Sequence, residues 1–359
     1  MSTDRISVTP SGYQADDIAW LMEAFARVFD EAVSDVMPLK GDASDRRLVR
    51  LCGRSSSAIG VVGPSVAENR AFISFARSFR AHGLAVPHIL AVDDRDRCYL
   101  EDDFGDTTLA VWLEDHRRQD VPDDEAERMY RLVLDELVRF QLYAAVEVDY
   151  SFCYQTAVFA TEAMHFDFSY FRDMFLSPLV RLPWDETTLA RDGQRLVAKL
   201  QEADQRYFLY RDFQSRNVMI LDDAPCFIDF QSGRRGALHY DVAALLFDSK
   251  GRLPADLRQR LLAHYLDRVE ERFSVDRRRF GYLFDGFAVL RLLQALGAFG
   301  NLGLNKNKPE YLSLIPSRLQ GLGALVAEAE FMQQFPDLRR LLLEISGDPE
   351  ALKLPQLDL

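Results

Sequence analysis

The chain is poor in lysine. Only six of its 43 basic residues are lysine, namely Lys40, Lys199, Lys250, Lys306, Lys308 and Lys353, and arginine supplies the rest. A guanidinium is planar, permanently charged and suited to fixed contacts with phosphate or carboxylate, although a lineage bias in codon use produces the same imbalance. Positive charge is also short overall: the formal net charge is -13. That excludes non-specific binding to nucleic acid or to an anionic membrane, both of which need a basic surface, but leaves room for a local basic groove. Cysteine is scarce too. Cys52, Cys98, Cys153 and Cys226 are widely spaced with no CxxC pair, which tells against a zinc site or a disulfide framework. Each sits among apolar residues and reads as core filler. The stretch MSTDRISVTPSGYQ has no basic start followed by an apolar run, so no secretory signal is expected. No uninterrupted apolar run reaches the roughly 18 residues of a membrane span. The cytoplasm is the expected compartment.

What is present is ordinary for a soluble enzyme: 359 residues, 48% hydrophobic and 28% charged, enough for two domains or one large bilobal unit. There is no internal repeat. Residues 15–30 place Ile18, Leu21, Met22, Phe25, Val28 and Phe29 on one helical stripe. Short apolar runs follow, VMPLK, RLVRL and SAIGVVG, which predict three strands. Residues 67–83 predict a helix with Phe72, Phe75, Ala76 and Phe79 on one face and Gly83 as its stop. HILAVDD and RCYLEDD predict two more strands. The first ~100 residues therefore form a small α+β unit. The remainder is mostly helical, with a long helix over 126–145.

Within the helical part lies FLYRDFQSRNVMI (residues 208–220), then FIDF (227–230). Strand-like residues flank a loop that carries Arg211, Asp212, Arg216 and Asn217, and the second apolar run delivers Asp229. This set suits phosphoryl transfer. One carboxylate orients the attacking hydroxyl and relieves it of its proton; an amide oxygen and a second carboxylate hold magnesium on the nucleotide phosphates. Asp212 and Asn217 also suit a simple turn.

The loop Tyr210–Asn217 resembles the H-R-D-x-x-x-x-N catalytic loop of the protein-kinase-like superfamily, with Tyr210 in place of histidine. Asp229, Phe230 and Gln231 resemble its metal-binding D-F-G, with glutamine in place of glycine. Both departures are more like small-molecule kinases of the aminoglycoside phosphotransferase type. GDASDRR (41–47), GLAVPHILA (83–91), DDFGDTTL (102–109) and GRRGALHYDVAALLFD (233–248) occur in the order of that family. They are most similar to bacterial anomeric kinases of N-acetylmuramate and N-acetylglucosamine.

The resemblance implies an α+β, bilobal protein-kinase-like fold. Residues 1–103 form a small nucleotide-binding lobe, an antiparallel sheet with one helix; residues 104–359 form a larger, mainly helical catalytic and substrate lobe. It implies ATP and Mg2+ as cofactors. Gly41, Asp42, Ala43 and Ser44 lie over the phosphates, and the backbone at Glu101–Asp103 meets the adenine. Asp212 is the base, and Asn217 and Asp229 bind the metal. Arg216 contacts phosphate or substrate, or pairs with a neighbouring carboxylate. Asp241 acts at the site or caps its own helix.

The family's third-strand lysine is missing, since SAIGVVG has none. Glu68 is its orphaned helix partner, or a charge favoured by the helix dipole. Lys40, Arg46 and Arg47 are candidate replacements, with the two arginines ahead. This gap keeps open a nucleotide-binding pseudokinase regulator. The acceptor expected from the resemblance is a sugar hydroxyl, with an aminoglycoside, choline or homoserine as alternatives. Residues 160–175 are the candidate acceptor pocket, with Glu162, His165 and Asp167 for hydrogen bonds and Phe168, Tyr170 and Phe171 for stacking or core. The expected partner is a small molecule, not nucleic acid or membrane, and the chain is expected to be a monomer or weak dimer.

Overall fold

The computed structural model describes residues 13–39, 45–118 and 123–354. The chain opens with helix α1 (Ala15–Phe29), ended by Asp30 in a left-handed conformation at φ 53°. Strands β1 (Asp35–Leu39), β2 (Arg47–Cys52), β3 (Ser57–Val62), β4 (Ile89–Val92) and β5 (Cys98–Asp102) follow, with helix α2 (Val66–Ala81) between β3 and β4. They form one antiparallel sheet in the order β1-β2-β3-β5-β4.

Strand periodicity explains how one sheet serves two helices. Successive side chains point to opposite faces. Ala58 and Val62 of β3 join Val49, Leu51 and Leu100 under Ile18, Leu21 and Phe25 of α1. Ile59 and Val61, with Tyr99, face α2 and its Phe72, Phe75 and Phe79. Each buried aromatic of α2 stabilises this packing by roughly 1.5–3 kcal/mol. Ser65 caps α2 by accepting the Glu68 N–H at 3.3 Å, which fixes where the helix begins and so where Glu68 stands.

The second lobe is mostly helical: α3 (Leu109–Arg118), α4 (Asp123–Val138), α5 (Thr161–Phe171), the single turn α6 (Ser177–Leu179), α7 (Glu186–Leu200), α8 (Leu238–Leu246), α9 (Ala255–Glu270), α10 (Arg277–Leu304), α11 (Ile315–Glu328) and α12 (Pro336–Gly347). The long helix expected over 126–145 stops earlier. After Val138 it widens into a π-helical turn and then tightens into a 3-10 turn through Val146. Length and composition alone would let α10 cross a membrane, but most of it is buried inside this lobe, against α5, α8 and α11.

Four short strands build the platform for the loops of interest. Strand β6 (Tyr207–Leu209) pairs with β9 (Arg234–Gly236), and β7 (Val218–Leu221) pairs with β8 (Ala224–Phe227). Asp222 and Asp223 turn the β7–β8 hairpin with φ of 49° and 57°, the left-handed pair that a two-residue hairpin requires. Because the two pairs are nested in sequence, the loop leaving β6 and the loop leaving β8 emerge side by side.

Candidate active site

Between the sheet and the helical lobe lies a cleft of about 840 Å³. Its lining includes Asp212, Arg216, Asn217 and Asp229 from the two loops, Arg46 and Glu68 from the small lobe, and Glu101, Asp102 and Asp103 at the end of β5. The residues singled out from the sequence thus largely converge. Gly41, Asp42, Ala43, Ser44 and Lys40 lie outside the described residues.

Backbone and buried hydrogen bonds hold the first loop rigidly. Asp241, fully buried in the first turn of α8, accepts the Tyr210 N–H at 2.7 Å and the Arg211 N–H at 2.9 Å. Burial pushes its carboxyl up to about 7, against the pull of those two N–H groups. Asp241 therefore braces the loop; it neither lines the cleft nor caps its own helix. Arg211 sits at φ 81°. Both of its terminal nitrogens donate to Asp167, at 2.7 and 2.6 Å, and its guanidinium lies over the rings of Phe159 and Tyr240. Asn217 closes the loop by donating Nδ2 to the Asp212 carbonyl at 2.8 Å, so its amide nitrogen is engaged within the loop. Ser215 is pinned by Asp248, which accepts its N–H at 3.0 Å and its hydroxyl.

The two departures from the kinase motifs have structural reasons. Tyr210, in the histidine position, donates its hydroxyl to the Ile228 carbonyl at 2.6 Å and so ties the first loop to the second. Gln231, in the glycine position, donates Nε2 to Asp229 Oδ1 at 3.0 Å. Asp229 itself stands at φ 69°. Behind it Phe230 is fully buried, stacked on Phe72 of α2 with centroids 4.5 Å apart.

The missing lysine has a geometric substitute. Arg46, just ahead of β2, reaches Glu68 with Nε at 3.4 Å and Asp229 with Nη2. Arg46 thus links the α2 glutamate to the second loop. Asp229 is half-buried, and although desolvation raises its carboxyl, Arg46 and the Gln231 amide hold it below the usual range. Burial pushes Glu68 up, opposed by Arg46. Arg47 does not join them. Adjacent strand residues point to opposite faces, and Arg47 faces Tyr13, 5.9 Å from its ring. Glu101 is 8% exposed with its carboxyl pushed up to about 8 by burial. Asp103 is locked to Arg50 by two hydrogen bonds, at 2.7 and 3.0 Å.

The residues expected to form the acceptor pocket, within 160–175, do not line this cleft: none of Glu162, His165, Asp167, Phe168, Tyr170 and Phe171 is in its lining. Asp167 is 1% exposed and spent on Arg211, while Phe168 and Phe171 are core. On the side of the helical lobe the cleft is lined by Arg291, Gln294, Ala295, Ala298 and Phe299 of α10, Tyr311, and Arg318 of α11. Sequence reasoning missed them. The available signal was Arg291 and Gln294, one turn apart within the apolar run 287–299.

Residues 35–280 match the family described as "Phosphotransferase enzyme family". The chain belongs to that family. Among curated relatives, it is 26% identical over 324 residues to the N-acetylmuramate/N-acetylglucosamine kinase of Pseudomonas aeruginosa, covering 89% of this chain and 90% of the relative. The same-named kinase of Pseudomonas putida is 24% identical, over 87% of this chain and 95% of its own length. Among solved structures, a choline/ethanolamine kinase family protein from Mesorhizobium loti superposes with a TM-score of 0.59 at 13% identity, over 90% of this chain and 99% of its own. As a member of the phosphotransferase family this chain is a kinase with an alcohol acceptor, on a bilobal kinase-like fold.

Proposed function

We propose that this phosphotransferase moves the γ-phosphate of ATP, with Mg2+, to the anomeric hydroxyl of an N-acetylated amino sugar such as N-acetylmuramate or N-acetylglucosamine. The observation that carries the reading is the convergence of Asp212, Asn217 and Asp229 on one cleft, in a chain similar over most of its length to kinases named for those sugars.

The hinge falls at Glu101–Asp103, with residues 1–103 as the nucleotide lobe and 104–359 as the catalytic lobe. Leu48 and Ile59 of the sheet, with Met219 and Ile228 opposite, make an apolar slot suited to adenine. Asp212 accepts or orients the acceptor hydroxyl proton. The donor set fits a hard divalent ion: Asn217 Oδ1 and Asp229 are two oxygen ligands, and such an ion completes its shell with phosphate and water. Magnesium held there would neutralise phosphate charge that Arg46 cannot balance alone. Arg46 supplies the cation otherwise given by a strand lysine, oriented by Glu68. Asp241 and the Asp167–Arg211 pair hold the loop in position, which is where most of the rate arises in phosphoryl transfer. The reaction belongs to the cytoplasm, where ATP is supplied.

Phosphate transfer is tested with ATP, magnesium and a panel of amino sugars, hexoses, aminoglycosides and amino alcohols. Amino sugars are the expected substrates, and the product should lose its reducing end, because phosphate on the anomeric oxygen blocks ring opening. Asp212→Asn should lower turnover roughly 10²- to 10⁴-fold while the far-ultraviolet spectrum is unchanged. A product that keeps its reducing end rejects the anomeric assignment; undiminished turnover in the variant rejects the base.

A further inference from the structure

The cleft wall opposite the nucleotide lobe carries two arginines that, among the described residues, ion-pair with no carboxylate. Arg291 stands on α10 within an apolar stretch and is 8% exposed. Its Nη1 donates to Gln294 Oε1 at 2.5 Å, and its Nε has no hydrogen-bond partner. Arg318 on α11 is 7% exposed. It donates to two neutral groups, the Phe247 carbonyl at 2.6 Å and the Ser249 hydroxyl at 3.2 Å, and its Nε is likewise unpartnered. Among the described residues neither arginine ion-pairs with a carboxylate. Both face the cleft that holds Asp212.

The two cations are close enough to oppose each other. Burial, with repulsion from Arg291 and Arg216, pushes Arg318 down to about 10, and Asp248 is the opposing charge. That carboxylate is already engaged by the N–H and hydroxyl of Ser215. Burying a guanidinium without a counter-ion costs several kcal/mol in a closed protein interior. At the wall of a substrate cleft the same arrangement is a site waiting for an anion.

We propose that Arg291 and Arg318, with Gln294, form a carboxylate-binding subsite that selects an acidic amino sugar over its neutral counterpart. The proposal rests on the amino-sugar reading above. N-acetylmuramate is N-acetylglucosamine with an added lactyl ether, and that ether ends in a carboxylate. A planar guanidinium recognises a carboxylate through paired N–H donors. The same charge repels the cationic heads of choline and the aminoglycosides. Phe299, whose ring lies under the Arg318 guanidinium at 5.6 Å, gives the subsite an apolar floor.

The test compares kcat/KM for N-acetylmuramate, its methyl ester and N-acetylglucosamine in the wild-type enzyme and in Arg291→Gln. A charge-assisted hydrogen bond predicts that the wild type prefers the acid over both neutral sugars roughly ten- to a hundredfold. In Arg291→Gln that ratio should collapse towards one. The ester probes the carboxylate in unaltered protein, so the result stands even if the variant folds poorly. Equal use of acid and ester by the wild type overturns the subsite alone. So does a loss in Arg291→Gln that lowers all three sugars by one factor. No turnover of any of the three overturns the subsite together with the amino-sugar assignment.

Discussion

In the proposed reaction Arg46 takes the place of the missing strand lysine by position. Its guanidinium spans Glu68 and Asp229, a bridge one ammonium makes less well because its donors radiate from a single nitrogen. Burial works against the charge, but Asp229, Tyr99 and Glu68 outweigh it and raise the pKa above its ordinary value. Arg46→Ala should lower kcat/KM for ATP roughly 10²- to 10³-fold. Arg46→Lys should recover part of that loss, since charge returns without the fork. Steady-state kinetics with ATP varied decides it, and an Arg46→Ala variant as active as wild type would remove Arg46 from the machinery. A second residue sets a pH limit on the fold. His239 is buried between Phe280 and Phe287, with centroids 3.9 and 5.2 Å away, and neither ring nitrogen has a partner. Burial drops its pKa to about 3. In the unfolded chain it titrates near ~6.5, so unfolding takes up a proton below that pH and stability falls as pH drops from there towards 3. By pH 5 the loss from this residue should reach about 2 kcal/mol. His239→Phe should be flatter than wild type between pH 7 and 5 by that amount, read from urea midpoints. Parallel curves for the two proteins would show the imidazole is not the cause.

At the scale of elements, α10 carries the cleft wall, and its glycines set how closely it packs. A Cβ at Gly300 would run into the Met174 carbonyl, and one at Gly297 would sit 2.8 Å from the Tyr170 carbonyl. Both obstacles are backbone, in α5 and the π-helical turn that follows it. Near the other end of the same helix, a Cβ at Gly281 would meet nothing within 4 Å. Gly300→Ala should therefore destabilise by roughly 1–3 kcal/mol through enforced backbone shift. Gly281→Ala should stabilise by roughly 0.5–1 kcal/mol through helix propensity. Because Arg291 and Gln294 ride on α10, Gly300→Ala should also raise the KM for the sugar more than that for ATP. Denaturant midpoints and the two KM values test this; equal KM changes would detach the packing from the acceptor wall. The same helix marks the limit of what the sequence made legible. The strands of the small lobe are legible as short apolar runs between turns, and the loops at Asp212 and Asp229 by spacing. Their functional atoms lie within a few residues of the elements that position them. The cleft wall opposite the sheet is assembled from α10, Tyr311 and α11, roughly 60 to 110 residues downstream of those loops. No local pattern encodes that approach. The aromatic stretch 160–175 reads as a candidate pocket or as core, because stacking residues and carboxylates sit together there. Asp167 is instead consumed by Arg211, a pairing visible only once α5 is set beside the loop.

For the whole molecule, composition reports the total charge and not where the cations stand. A chain of net charge -13 brings Arg46, Arg216, Arg291 and Arg318 to one cavity beside the carboxylates of Asp212 and Asp229, so the cleft carries cations that the total conceals. The two lobes that enclose it are joined by an aromatic stack. Phe230 from the Asp229 loop lies against Phe72 and Phe79 of α2, at 4.5 and 5.3 Å. In the proposed binding mode a nucleotide between the lobes would bridge the sheet to the Asp229 loop, adding contacts that the unfolded chain cannot make. At about 100 times its dissociation constant a ligand of the folded state stabilises by about 2.7 kcal/mol. A non-hydrolysable ATP analogue with magnesium should accordingly raise the melting temperature of the wild type, and by more than the analogue does with a chelator. In Asp229→Ala the magnesium-dependent increment should vanish while a smaller metal-independent shift remains, because the apolar slot around Leu48, Ile59 and Met219 is untouched. Arg46 in that variant keeps Glu68 as its partner, so the nucleotide lobe should stay folded. A full magnesium-dependent shift in Asp229→Ala would mean that the metal is held elsewhere in the cleft, and that Asp229 serves only to anchor Arg46.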